Sequence, residues 1–315
     1  MIRTQAIPSR APQGAHCQLD ALLTTRYLAR NLNLHARSPA LALLAGQQSS
    51  SRRGRGLDFD EVRKYYPGDD VRSIDWRVTA RTGDAHTKLF KEERERPVLI
   101  AVDQRNSLFF GSQTCMKSVW AAEFSATIAW AALENGDRIG GLISGQAEHC
   151  ELRPKASRSS VLHFLQNLLA LNQALPVQSK KSTGLDFTDQ LLALRRISRP
   201  GTHIFIVTDF ADYASPQHLP HLSYLARHNR LTLCMISDPM EAVAPPPGYY
   251  QFTDGDTIAG LDTGSAPVRE AYVQAFQNRL DTLRTDCLKM AMPLIEAKTT
   301  DAVMDVLQPL FGARR

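Results

Sequence analysis

The chain has 315 residues, 43% of them hydrophobic and 22% charged, with a formal net charge of +5. That composition belongs to a soluble globular protein of one large or two modest domains and excludes collagenous and low-complexity classes. Five scattered cysteines without a C-x-x-C pair exclude a disulfide framework and a structural zinc site, and no apolar run reaches the ~20 residues that span a bilayer.

Residues 1–18 lack the apolar core of a secretory signal and read as a disordered tail. Leucines 19, 22, 23, 28 and 32 recur at helical spacing. Residues 47–56 are rich in Ser, Arg and Gly and read as a loop. A strand or extended arm over 57–66 leads to the turn Pro67-Gly68-Asp69-Asp70, where Pro fixes φ and Gly supplies the permissive position. One or two helical turns around Trp76 and a strand over 85–92 follow. From Pro97 the rhythm changes. The apolar run 98–102 predicts a strand covered on both faces, ending on Asp103. Then come a helix to Glu134 stopped by Asn135-Gly136-Asp137, a strand over 138–144, and an edge hairpin partner over 148–153. A helix over 157–171, a polar linker over 174–183 and a helix over 185–198 precede a third core strand, 203–208, ending on Asp209. Helix 216–227, strand 231–236, two short extended arms within 241–264, helix 268–290, strand 293–297 and helix 301–311 complete the chain. Alternating strands and helices predict an α/β fold with a doubly wound, mostly parallel sheet. The expected division is a tail (1–18), an N-terminal helical and extended arm (19–96) and a sheet domain (97–315).

The segment GRGLDFDEVRKYYPGDDVRSIDWRVTARTGDAHTKLFKEERERPVLIAVD, from Gly54, is dense in alternating charge. With FFGS, KSVWAAEFSATIAWAALENGDRIGGL and the VTDF strand end, it resembles the bacterial family called domain of unknown function 58, from about Leu19 onward. That family is similar to von Willebrand factor type A domains. The resemblance implies a Rossmann-like sheet and a non-enzymatic protein-interaction module. It implies as partner a MoxR-type AAA+ ATPase in chaperone-like or complex-assembly work, with membrane-anchored proteins of the same fold as further candidates. Many longer relatives carry transmembrane helices before the signature. This chain resembles the short soluble subgroup, and a cytoplasmic location is expected, peripheral to the inner membrane only through partners.

Type A domains often carry a metal-ion-dependent adhesion site whose first motif is Asp-x-Ser-x-Ser. Here it reads Asp103-Gln104-Arg105-Asn106-Ser107. The resemblance places Ser107, Thr183 and Asp209 as the remaining oxygen donors. Mg²⁺ wants about six hard oxygens, whereas arginine offers only donors and a fixed charge. The expectation is a degenerate site closed by Arg105 pairing with Asp103 or Asp209, in the crevice where open α/β sheets bind ligands. A working Mg²⁺ site is the competing reading.

Asp69, Asp70, Arg72, Asp75, Trp76 and Arg81 carry the signature. They are expected to form a paired network pinning the arm to the sheet, or a docking surface for the ATPase with Arg and Trp as anchors. No P-loop, G-x-S-x-G or H-E-x-x-H motif occurs. His218 and His221 read as surface residues rather than a metal pair, and Trp120 and Trp130 as core. The alternative function is a metal-dependent hydrolase or nuclease using Asp58, Asp60, Glu61, Glu92 and Glu93. Nucleic acid is not an expected partner, since no aromatic-interleaved RNA motif accompanies the basic charge.

Overall fold

Runs such as VLIAV and HIFIVT have no polar face to offer water, so the strands they form must be covered on both sides. The computed structural model describes residues 10–35, 58–66, 74–91, 95–176, 185–253 and 258–312. The first helix, α1 (Leu19–Ala29), is followed by a small unit spanning residues 49–95. There β1 (Asp58–Lys64) pairs antiparallel with β2 (His86–Lys91), and α2 (Trp76–Thr82) lies between them in sequence. The Asp75 carboxylate caps α2 by accepting from the amides of Arg77 and Val78, at 3.0 and 3.2 Å.

The larger unit comprises residues 1–48 and 96–315. Its elements are β3 (Pro97–Asp103), α3 (Lys117–Glu134), β4 (Arg138–Ser144), β5 (His149–Lys155), α4 (Arg158–Gln173), α5 (Phe187–Ile197), β6 (His203–Thr208), α6 (Ser215–His228), β7 (Arg230–Ser237), β8 (Tyr249–Thr253), β9 (Ile258–Asp262), α7 (Ala266–Lys289), β10 (Leu294–Lys298) and α8 (Val303–Phe311). Six strands form one sheet in the order β10-β7-β6-β3-β4-β5, all parallel except β5. Counted along the chain within the sheet, that is the doubly wound order 3-2-1-4-5-6. β8 and β9 form a separate hairpin.

Side chains alternate across β3 and divide the core in two. Val98, Ile100 and Val102 face α1, α3, α4 and α8, whereas Leu99 and Ala101 face α5, α6 and α7. α3 is apolar nearly all round, and a helix of that kind must be buried. It lies between the sheet and α1, with Trp120 and Trp130 in the core as expected from the sequence. The Trp130 indole donates to the Leu22 carbonyl at 3.2 Å, so its one polar atom is satisfied.

The N-terminal division expected from the sequence needs correcting in two places. Residues 10–18 are not a free tail. The Gly14 amide donates to Thr114 O (3.0 Å), the Met116 amide to Gly14 O (3.1 Å), and the Cys17 amide to the Asn172 side chain (2.7 Å). α1 packs with the sheet unit rather than with the signature segment. In both, a few buried contacts outweigh a locally polar composition: Cys17, Leu22 and Ala29 are all buried.

Within the larger unit one buried carboxylate brings together two points on either side of the smaller unit in the chain. Asp137 Oδ2 pairs with His35 Nε2 at 2.8 Å, while Oδ1 accepts from the Arg96 amide at 3.0 Å.

Candidate functional site at the strand tips

In a doubly wound sheet, chain connections part in opposite directions between the first and fourth strands, leaving a crevice at their carboxyl ends. Here those strands are β3 and β6, and they end on Asp103 and on Thr208-Asp209. All three residues are buried. Two buried carboxylates so close to the core require partners, because an isolated buried charge costs far more than a hydrogen bond returns.

Each acid has its own cation. Arg105 donates to Asp103 from Nε (3.0 and 3.1 Å) and Nη2 (2.7 Å), and its backbone amide reaches the same carboxylate at 2.9 Å. The Thr208 hydroxyl adds a fourth donor group at 2.7 Å. The outer edge of the guanidinium turns to Asp212, 2.9 Å from Nη1, and to the Leu185 carbonyl at 3.1 Å. Asp209 pairs instead with Lys117 of α3, at 2.7 Å, and accepts from the Ala211 amide at 3.0 Å. The same ammonium meets Glu241 at 3.0 Å. Burial by itself would favour the neutral forms of Arg105 and Lys117. Asp103 with Asp212, and Asp209 with Glu241, outweigh it and hold both pKa values above the ordinary range. Asp212 lies below its ordinary value: burial pushes it up, and Arg105 overrides that.

The sequence-predicted residues therefore separate. Asp103, Arg105 and Asp209 meet at the strand tips, but Arg105 bridges Asp103 to Asp212 rather than to Asp209. Ser107 is exposed in the short turn Asn106–Leu108 and makes no hydrogen bond to these acids among the described residues. Thr183 lies outside the described residues. Of the signature residues, Asp69, Asp70 and Arg72 also lie outside them. Asp75 serves as the local cap of α2, Trp76 is 70% exposed, and Arg81 is exposed in the last turn of α2. Asp58, Asp60 and Glu61 fall on β1, while Glu92 and Glu93 are outside the described residues.

Sequence reading missed Lys117, Thr208, Asp212 and Glu241. For Lys117 a signal existed: it opens an otherwise apolar helix, where a lone cation must find an acid. His218 is a second correction. It is buried rather than on the surface, its Nδ1 accepts from the Ala214 amide at 2.9 Å, and its ring stands 5.1 Å from that of Phe187. His221 faces Arg195 at 3.0 Å, so each histidine has a separate partner.

Mg²⁺ does not fit this donor set. The oxygens of Asp103 are taken up by a guanidinium, an amide and a hydroxyl, and a fixed ammonium sits against Asp209. Among the described residues no group of three or more His, Cys, Asp or Glu is arranged to hold a metal ion. The arrangement offers two neutralised buried acids under a partly exposed one, Asp212.

A doubly wound sheet with a charge-paired crevice at its switch point defines the class. A family model described as "Protein of unknown function DUF58" matches residues 61–281, and the chain belongs to that family. Proteins of Mycobacterium bovis and Mycobacterium tuberculosis, each described as uncharacterized, are 28% identical over 290 residues, covering 91% of this chain and 89% of theirs. Among solved structures the chain is similar to BatB of Bacteroides thetaiotaomicron (13% identity, 62% of this chain and 98% of that one, TM-score 0.36). It is also similar to an aerotolerance-related membrane protein of Bacteroides fragilis (14%, 68% and 98%, TM-score 0.41) and to an Rpn10 VWA domain (8%, 68% and 95%, TM-score 0.36). No helix among the described residues is long and apolar enough to cross a membrane.

Proposed function

We propose that this protein is a non-enzymatic interaction module that presents the strand-tip crevice, closed by Arg105 rather than by a metal ion, to a protein partner. The observation that carries the reading is the Arg105 guanidinium held between Asp103 and Asp212, where a type A domain would coordinate its cation. A fixed guanidinium supplies the positive charge without an exchangeable ligand position. It is also rigid, because two carboxylates and a carbonyl fix its plane. The partner we infer is a MoxR-type AAA+ ATPase, which would hydrolyse ATP while this chain supplies the recognition surface. Trp76, exposed in the signature unit, is the second candidate anchor.

Two measurements test this. Titration calorimetry with Mg²⁺ and Mn²⁺ should give no binding heat for the native protein, and Arg105→Ser should gain affinity. Heat in the native protein that disappears in Asp103→Ala would instead favour the metal-dependent hydrolase reading. Co-purification with the MoxR-type ATPase, with and without nucleotide, should give a complex that Asp212→Ala weakens; no complex under either condition sinks the partner assignment.

A further inference from the structure

The face built by β5, α5 and α6 carries more cations than acids. β5 is the sheet's terminal strand; Glu151 and Arg153 are exposed on it, and a bulge sets Lys155 opposite Ile139, on the other face of the sheet from Glu151. Arg196 of α5 pairs with Glu151, which fixes that side of β5 beside α5. Arg195 lies over the Tyr224 ring at 4.2 Å and so ties α5 to α6. The loop after α5 returns to the end of α6, where the Gly201 amide donates to His228 O at 2.8 Å and brings Arg199 towards Arg227. This face therefore carries Arg153, Arg195, Arg196, Arg199 and Arg227 against Glu151 and Asp189. Arg153, Arg199 and Arg227 have no ion pair among the described residues.

Part of this has a purely structural account. Cations in the last turn of a helix offset its dipole, and cations on an edge strand discourage pairing with another sheet. Neither accounts for the apolar residues among them. Leu192 is 48% exposed and is followed at i+3 and i+4 by Arg195 and Arg196; Tyr224 is 47% exposed and is followed at the same spacing by Arg227 and His228. At that spacing the three residues share one helix face. Both helices thus present one apolar side chain with arginine beside it, the pattern that settles at a headgroup boundary. A leucine adds nothing to recognition of a phosphodiester strand, which disfavours nucleic acid as the occupant.

We propose that the β5–α5–α6 face docks on an anionic phospholipid surface, with Leu192 and Tyr224 entering the headgroup layer and the arginines pairing with lipid phosphates. It does not depend on the strand-tip reading, which involves none of these residues.

Flotation of the full chain with vesicles of phosphatidylcholine alone, or of phosphatidylcholine mixed with phosphatidylglycerol, tests it. The protein should float only with the anionic vesicles and should be released as salt is raised. Each cation near such a surface contributes about fivefold to partitioning, so Arg199→Glu combined with Arg227→Glu should lower binding by at least about 25-fold. Leu192→Ser with Tyr224→Ser should also weaken it, at unchanged net charge. Circular dichroism and a thermal transition matching the native protein establish that each variant is folded. A single-stranded oligonucleotide serves as the competing probe. No flotation at low salt, flotation undiminished by the charge reversals, or binding of the oligonucleotide without binding of vesicles would overturn the proposal.

Discussion

Arg105 shows how one residue decides between two chemistries. Removing it would leave Asp103 in the core with only a hydroxyl and an amide as partners, so Arg105→Ala should destabilise the protein by about 3–5 kcal/mol, read as a lowered urea midpoint. A second residue-scale prediction concerns Glu123, whose carboxyl is pushed up to about 7 by burial. The folded state then binds its proton more tightly than the unfolded chain, so this group's contribution falls as pH rises from the unfolded value through the folded one. Glu123→Gln should therefore stabilise the protein at pH 8, by on the order of 2–3 kcal/mol, and change little near pH 4; denaturant melts at both values check it. The two strand-end acids and Arg105 were legible because an apolar run ending on Asp announces its own position. Which partners they meet was not: Lys117 announces only that it needs an acid, and Asp212 and Glu241 come from segments that only the folded sheet brings together.

At the scale of elements, the strands of the main sheet were readable because each is an apolar run too short for a helix and bounded by turn residues. The paired glycines of β4 had a reason that sequence did not disclose. A Cβ on Gly141 would lie 2.5 Å from Phe164 Cε2, and one on Gly140 would lie 2.6 Å from the Leu152 carbonyl oxygen. The first glycine admits the α4 aromatic against the sheet, and the second admits the edge strand. Gly141→Ala should cost about 1–3 kcal/mol through overpacking, measurable by thermal denaturation, and Phe164→Leu in the same chain should recover part of the loss. α1 was seen as a helix but assigned to the wrong neighbour, because leucine spacing reports a buried face and not what buries it. His218 failed for a similar reason: a histidine on a helix reads as exposed until an aromatic cluster closes over it.

At the scale of the molecule, the change of rhythm near Pro97 was visible in the sequence and marks the return from the smaller unit. The order of the sheet follows from the connection rules once the strands are known. The closeness of His35 and Arg96 was not legible, since it depends on Asp137, a residue that in sequence merely ends a helix. Neither apolar core cluster contains a residue from 49–95 among those described. The larger unit should therefore fold without that interval. Replacement of residues 49–95 by a short Gly/Ser linker should leave a cooperative thermal transition and the native circular dichroism; a molten product would show that the interval is needed for folding.

Because Asp137 grips His35 with one oxygen and Arg96 with the other, two points that flank the smaller unit in the chain lie side by side. A guest inserted between two adjacent anchor points can lengthen, shrink or be exchanged with little consequence for its host. The Asp137 carboxylate thus makes this position a natural graft junction, where a different segment could be carried by the same host.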